Sequence, residues 1–297
     1  MNKQLKGSAY LLLATIFWGS TFVAQDAAML HLGPFTFQAV RTALGAFFLL
    51  PVIYILDRKD GKSFLKGWAD PKLWKAGALC AIPLFLAGNL QQLGIGEGTD
   101  PGKAGFLTSM YILFVPLIGI FRREKAPKLL PVSLVLAVAG LYFLSFSGTA
   151  TISIGDLLLL CCAAAYSVQI IFVDKFVGTV DPIRLNTVQI FVAALITTIP
   201  MFLMETPTVS AIGNCWGPIL YAGILSSGVA FTLQIVGQKD LPPSLASLIM
   251  SLESVFAVLT GMLFGDVLTG REWLGCALIF TAVILSQIPI PSKKREA

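Results

Sequence analysis

The sequence predicts an all-α polytopic membrane protein with ten transmembrane helices arranged as two inverted five-helix repeats, and three observations lead to this prediction. Of the 297 residues, 56% are apolar and only 12% are charged, about half the charged share of a soluble domain. Long charge-free runs recur along the chain. The two halves also resemble each other in a nearly constant register. A soluble core of this size would need a charged shell, so the composition excludes an ordinary cytosolic enzyme and a disordered protein.

The charge-free runs define the predicted spans. About 20 apolar residues are needed to cross the hydrocarbon core of a bilayer as a helix. Two more windows, 34–56 and 241–265, are apolar except for one charge each, Arg41 and Glu253. The ten predicted helices are 5–25, 34–56, 74–95, 102–121, 129–147, 155–174, 183–204, 216–237, 243–264 and 272–291.

The positions of lysine and arginine predict the orientation of these spans. With both termini in the cytoplasm, eighteen of the 21 basic residues fall in inside segments and two, Lys103 and Arg271, fall outside. Arg41 lies within a span. Positive charge concentrates on the cytoplasmic side of membrane proteins, so we expect a multi-pass protein of the inner or plasma membrane. The same asymmetry explains the net charge of +5 without a nucleic-acid partner.

An internal repeat divides the chain into 1–148 and 149–297. Because each unit holds five spans, an odd number, the second unit must enter the membrane inverted, as is typical of secondary transporters. The alternative is chance similarity between apolar helices. A shift of 148 residues pairs Gly7 with Gly155, Trp18 with Tyr166, Pro34 with Pro182, Gln38 with Asn186 and Arg41 with Gln189, and a shift of 142 pairs Gln92 with Gln234, Pro101 with Pro243, Ser109 with Ser251 and Glu124 with Asp266.

Short motifs in both halves resemble those of the drug/metabolite transporters of the EamA type. Phe17-Trp18-Gly19-Ser20 is similar to the signature of the first helix in that family, and Arg41 with Ala43 and Ala46 to that of the second. Ser251-Leu252-Glu253-Ser254-Val255-Phe256-Ala257, followed by Gly265-Asp266, resembles the ninth-helix pattern, with Ser254 for the usual proline and Asp266 for the usual glutamate. The stretch from Gly105 to Tyr111, with Val115-Pro116-Leu117 and Glu124, resembles the matching part of the first repeat.

This resemblance implies a ten-helix secondary transporter that exports a small metabolite. The chain has no ATP-binding motif, so we expect a gradient or the substrate itself to supply the energy. Mid-span prolines, Pro83 and Pro116, permit kinks in two helices that we expect to move.

Polar side chains repeat on one face of several predicted spans and predict a substrate cavity. Pairs such as Trp18/Thr21, Gln38/Arg41 and Asn89/Gln92 are three residues apart and therefore share a helix face. Polar groups within a membrane usually face the bundle interior; the alternative is that the amides only join helices to one another. The predicted substrate-binding residues are Trp18, Gln38, Arg41, Asn89, Gln92, Tyr111, Tyr166, Gln189, Gln234 and Glu253.

Arg41 and Glu253 stand out because each is the only charge in its span, and a charge within the bilayer is costly. Its compensation is either a pairing between the two residues or a substrate or proton, and a purely structural role as a buried polar anchor is the remaining alternative. Glu253 is the candidate for proton coupling, since a proton would neutralise it. One cation, one carboxylate, several amides and aromatic walls together suit a small zwitterion, such as an amino acid.

The sequence thus favours a transporter of small metabolites such as amino acids that works by alternating access. A choline-like organic-cation carrier and a passive facilitator are alternatives. A membrane-embedded enzyme is disfavoured: His31 is the sole histidine, and the five cysteines lack disulfide or metal-ligand spacing. We expect no cofactor and no metal. The expected partners are the substrate and the lipid bilayer, with no nucleic acid and with a monomer or homodimer as the assembly.

Overall fold

The computed structural model describes residues 3–122, 128–145 and 152–288, and these ranges consist of helices and their connections, without a strand. Helices this apolar satisfy their backbone hydrogen bonds internally, as the lipid interior requires. The ten long helices in the described ranges are α1 (Lys3–Met29), α2 (Pro34–Lys59), α3 (Pro71–Gly96), α4 (Pro101–Phe121), α5 (Leu130–Ser145), α6 (Ile154–Phe176), α7 (Pro182–Met204), α8 (Trp216–Gln238), α9 (Pro243–Leu263) and α10 (Gly270–Ser286).

The predicted spans agree with these helices. Eight of the helices are long and apolar enough to cross a membrane, while α5 and α10, with 16 and 17 residues, are shorter. The predicted ends of these two spans extend into 146–151 and 289–297, which lie outside the described residues. So do Glu124 and five of the basic residues used for the orientation: Arg123, Lys125, Lys293, Lys294 and Arg295.

Local sequence explains where most helices begin. Proline occupies the first turn of α2, α3, α4, α7 and α9, where its missing N–H leaves no bond unmade. The side chains of Asp70, Asp100 and Asp181 accept backbone N–H bonds at the starts of α3, α4 and α7. Ser153 and Thr269 each form a capping box at the starts of α6 and α10.

Two helices are interrupted, and the prolines do not mark the places. Helix α3 runs continuously through Pro83, and α4 breaks between Thr108 and Tyr111, before Pro116. Helix α9 breaks at Ser251 although it has no proline there. Tight i to i+3 backbone bonds form at both sites, such as Ile112 N–H to Ser109 at 3.0 Å and Ser254 N–H to Ser251 at 3.2 Å. The two breaks therefore fall at positions that the 142-residue register pairs.

Helices α2 and α7 pack along each other and are tied at both ends. At one end the Asp57 carboxylate forms a buried salt bridge with Arg184. At the other end Glu205 accepts the backbone N–H groups of Phe35 and Thr36 at 2.9 and 2.8 Å, and the Thr36 hydroxyl at 2.6 Å. The 148-residue register pairs Asp57 with Glu205 and Thr36 with Arg184, so each helix ends on a carboxylate that holds the start of the other.

The remaining helices complete a bundle around a central cavity. Helix α1 packs against α8 and α9, α3 packs against α6 and α7, and α5 packs against α10. Helix α8 contains a π-helical stretch, Tyr221–Ala230, a feature that is rare and frequently found at functional sites. The inversion of the second repeat relative to the bilayer stays a prediction.

Candidate functional site

A cavity in the middle of the bundle collects side chains from α1, α2, α3, α4, α6, α8 and α9. The space between its lining atoms is about 460 Å³, a figure that includes the part open to solvent. Rings line much of it, and Trp18 meets Phe231 edge to face with the ring centroids 5.0 Å apart. The cavity is therefore lined by both apolar and polar side chains.

Arg41 is the cation of this cavity and is only 3% exposed. Its Nε donates to the side-chain oxygen Oε1 of Gln38, and its Nη1 donates to the side-chain oxygen Oε1 of Gln25, both at 2.7 Å. Its guanidinium also lies 5.5 Å from the centre of the Phe37 ring. These neutral groups fix the orientation of the guanidinium but leave its positive charge uncancelled.

Glu253 is the carboxylate of the cavity and is 4% exposed. The break in α9 lies two residues before it, and the break in α4 brings Ser109 opposite. The Ser109 hydroxyl is 3.5 Å from Glu253 Oε1, a long hydrogen bond. The Tyr111 hydroxyl also interacts with Glu253 and Ser109, although it does not reach the geometry of a regular hydrogen bond with either.

Arg41 and Glu253 share the cavity without neutralising each other. No ion pair joins them in the part of the chain that is described. A buried charge that lacks an opposite charge carries a desolvation penalty of several kcal/mol. A buried guanidinium and a buried carboxyl thus line one cavity without a salt bridge between them.

Two further polar atoms at the cavity are buried and make no hydrogen bond within the described ranges: Trp18 Nε1 and Gln234 Oε1. An indole N–H can only donate, and a carboxamide oxygen can only accept. Buried polar groups are normally satisfied, so these atoms indicate positions that a polar ligand or water would fill.

Six of the ten predicted substrate-binding residues line the cavity: Trp18, Arg41, Tyr111, Tyr166, Gln234 and Glu253. Four are absent from the lining. Gln38 contacts Arg41 as described, and Asn89 donates to Thr197 at 3.1 Å and to the Phe85 carbonyl at 2.8 Å. Gln92 approaches the Gln25 carbonyl at 3.4 Å, and Gln189 bonds to other amides. Asn89, Gln92 and Gln189 thus each bond to another helix, whereas the Gln38 bond stays within α2. Asn89 Oδ1 and Gln92 Oε1 have no partner in the described residues.

Sequence reasoning left several lining residues out of the predicted site. The polar ones are Thr21, Gln25, Gln91, Gln169 and Ser226, and the apolar ones are Phe22, Ile170, Phe231 and Met250. Gln25 was detectable, because Trp18, Thr21 and Gln25 follow a helical face at i, i+3 and i+7. The apolar residues carried no signal that separates a cavity wall from a lipid-facing or packed position.

The cavity offers no metal site. Across the described residues, no cluster of three or more His, Cys, Asp or Glu side chains has a geometry that could hold a metal ion.

Comparisons with known proteins agree with the geometry. The model of the EamA-like transporter family matches residues 5–146 and again 153–287. An uncharacterized transporter of Archaeoglobus fulgidus is 30% identical over 97% of this chain and 88% of its own length. The uncharacterized transporter YwfM of Bacillus subtilis is 26% identical over 99% of both chains. A solved crystal structure matches with a TM-score of 0.77 at 19% identity, over 95% of this chain and 96% of the other; at that identity the likeness shows the fold alone.

Proposed function

The chain belongs to the EamA-like transporter family, and on this premise we propose that it carries a small zwitterion of the amino-acid class by alternating access. The observation that supports it is that the Arg41 guanidinium and the Glu253 carboxyl line one cavity without an ion pair between them. A guanidinium holds a carboxylate through charge-assisted, bidentate bonds. Glu253 and the ring faces receive an ammonium group. A bound zwitterion would thus compensate both buried charges at once.

The alternatives fit the cavity less well. A sugar does not require two opposite charges, and a lipophilic or choline-like cation is repelled by Arg41. A passive facilitator has no need to keep two uncompensated charges buried. A membrane enzyme would require a catalytic group, and the family and its named relatives are transporters.

Alternating access requires parts that move around a fixed site. Tyr111, Met250 and Glu253 stand at the interruptions of α4 and α9, and Ser226 lies in the π-helical stretch of α8; all four line the cavity. Irregular helical segments absorb changes in backbone angles at a lower cost than regular ones do. These segments support the proposal that the cavity opens to each side in turn.

The proposed setting is the inner or plasma membrane with both termini in the cytoplasm. The charge asymmetry of the connecting segments supports this orientation. The outward direction of transport is inferred from the resemblance to the family. Proton exchange at Glu253 supplies the coupling, because binding of a proton removes the penalty of a buried anion.

Counterflow in liposomes tests this function. Purified protein is reconstituted into vesicles loaded with unlabelled L-leucine, and uptake of radiolabelled L-leucine is followed against empty vesicles. The apolar walls Phe22, Ile170 and Met250 make an aliphatic amino acid a suitable first probe, and a panel of other amino acids follows. We expect saturable counterflow. Flux that never saturates would indicate a channel, chemical conversion would indicate an enzyme, and counterflow of amines alone would move the assignment to an organic-cation carrier.

A further inference from the structure

A chain of buried amides begins at the backbone of α8. Asn186 Nδ2 donates to the Ser227 and Gly228 carbonyl oxygens at 3.1 and 3.0 Å, and it lies 2.9 Å from the Thr232 hydroxyl. A backbone carbonyl only accepts hydrogen bonds. The nitrogen of the Asn186 carboxamide must therefore face α8, and its oxygen must face the opposite way.

The orientation of the Asn186 carboxamide determines the orientation of the three glutamine carboxamides that are bonded to it in series. Gln189 Nε2 donates to Asn186 Oδ1 at 3.0 Å, Gln169 Nε2 donates to Gln189 Oε1 at 3.3 Å, and Gln234 Nε2 donates to Gln169 Oε1 at 3.1 Å. We call these four residues the amide relay. Each is at most 1% exposed, so bulk water does not compete for their bonds. Reversing one carboxamide would place two oxygens or two nitrogens face to face, so the backbone of α8 determines the direction of all four.

The relay ends at the cavity. Because the Gln234 nitrogen is held by Gln169, its oxygen is left without a partner in the described residues, and the residue lines the cavity with Glu253. The direction of the relay therefore decides that the cavity meets an acceptor at this position rather than a donor.

We infer that the Gln234 carbonyl oxygen, in the cavity that also holds the Glu253 carboxyl, contributes the acceptor of a subsite for a substrate ammonium group that still carries N–H bonds. Asn186, Gln189 and Gln169 are positioning residues that keep the Gln234 oxygen turned toward the substrate. The inference rests on the proposed function and narrows its substrate class: a primary ammonium fits the subsite, and a quaternary ammonium does not, even though aromatic rings surround the cavity. A trimethylammonium group has the same charge but no hydrogen to donate.

The first experiment compares ligands that differ only in N–H bonds. The probes are L-leucine, its N,N,N-trimethyl derivative, 3-methylbutylamine and the trimethyl derivative of that amine, each titrated against purified protein by calorimetry. The measured quantity is the affinity ratio within each pair. A hydrogen bond between charged partners corresponds to about tenfold or more in affinity, so we expect wild-type protein to prefer the N–H form by at least that factor.

Variants at position 234 test the subsite itself. Gln234→Met keeps the length of the side chain and removes its acceptor, so the preference should fall by about tenfold. Gln234→Glu keeps an oxygen and should retain the preference. Gln238→Met is the matched control: its amide is equally buried one turn further along α8 and donates to the Ile170 carbonyl at 3.0 Å, and it does not line the cavity. This control should leave the ratio unchanged.

Variants at position 189 test the direction of the relay. Gln189→Glu, as a buried and therefore protonated carboxyl, donates to Asn186 and accepts from Gln169, which preserves the orientation of Gln234. Gln189→Lys offers only donors and reverses that orientation, turning the Gln234 nitrogen toward the cavity. The charge that the substitution introduces does not change the affinity ratio within a pair, because both ligands of a pair carry the same charges. We expect the Glu variant to keep the preference and the Lys variant to lose it. Equal ratios in the two variants would show that the relay orients nothing.

The outcomes separate this inference from the proposed function. Equal wild-type affinities within the pairs, or an unchanged ratio in Gln234→Met, would overturn the subsite while leaving leucine transport intact. If the amine keeps its N–H preference and the carboxylate of leucine adds no affinity, the zwitterion proposal fails and the subsite stands. Failure of all four probes to bind would overturn both.

Discussion

Removing one partner of the buried salt bridge between Asp57 and Arg184 is expected to cost several kcal/mol, and Asp57→Asn is the substitution that measures this cost. The two residues are 5% and 6% exposed, and the bridge ties the end of α2, the helix that carries Arg41, to the start of α7. Removing one charge of a buried pair leaves the other uncompensated and typically destabilises by about 3–5 kcal/mol. Arg184 would retain only the Asp181 carboxylate at 3.9 Å and the Trp68 ring at 5.5 Å.

The magnitude should fall at the lower end of that range, about 3 kcal/mol, because asparagine keeps one acceptor for Arg184. Thermal unfolding of the detergent-solubilised protein, followed by tryptophan fluorescence, should show Tm lowered by roughly 6 °C or more. The double variant Asp57→Asn with Arg184→Gln removes both charges and should recover most of the loss.

Asp60→Asn is the matched control for this measurement. Asp60 lies three residues further along, and its salt bridge with Lys62 at 2.7 Å is exposed, with side-chain exposures of 57% and 66%. Exposed pairs of this kind contribute little, so Tm should not change measurably. A wild-type Tm for Asp57→Asn, or a double variant no more stable than the single one, would refute the reasoning.

Two further predictions concern transport and topology. Glu253→Gln should abolish proton-gradient-driven flux while expression and folding persist, because the amide keeps the shape of the carboxyl but cannot exchange a proton; normal driven flux, measured in reconstituted vesicles, would make Glu253 structural. In a background without the five native cysteines, Gly98→Cys should react with an impermeant maleimide applied from outside the cell and Gly61→Cys should not. Both glycines have positive φ and open surroundings, so the two variants are matched in strain, and the reverse labelling pattern would contradict the orientation.

The sequence was sufficient to predict the helices but not the positions at which some of them are interrupted. Uninterrupted apolar runs predict spans because length and hydropathy alone decide membrane crossing. The interruptions were not predictable in that way: Pro83 lies within a continuous helix, while Ser109 and Ser251 mark the breaks. Serine signals no break by itself, because its effect depends on whether its hydroxyl bonds back to the preceding turn, as that of Ser251 does with the Leu248 carbonyl at 2.8 Å.

A residue of the site could be predicted from the sequence if its type is unusual within a membrane. It could not be predicted if its type is common there. Arg41 and Glu253 are the lone charges of their spans, and both line the cavity. Glutamine and asparagine are ambiguous, because an amide that faces a ligand and one that joins two helices have the same spacing in sequence. Gln189 is predicted to bind substrate; in the structure it bonds Gln169 and does not line the cavity, whereas Gln25, which is outside that prediction, bonds Arg41 within the cavity.

The central claim is that Arg41 binds the carboxylate of a zwitterion. The most direct test compares the binding of two ligands to the wild-type protein and to two variants. Binding of L-leucine and of 3-methylbutylamine is measured by calorimetry for wild type, Arg41→Ala and the control Arg271→Ala, whose guanidinium lies over the Tyr142 and Phe143 rings and not in the cavity. We predict that Arg41→Ala weakens leucine binding by about tenfold or more, leaves amine binding unchanged or stronger, and that the control alters neither. Equal losses for leucine and the amine in Arg41→Ala would contradict the claim.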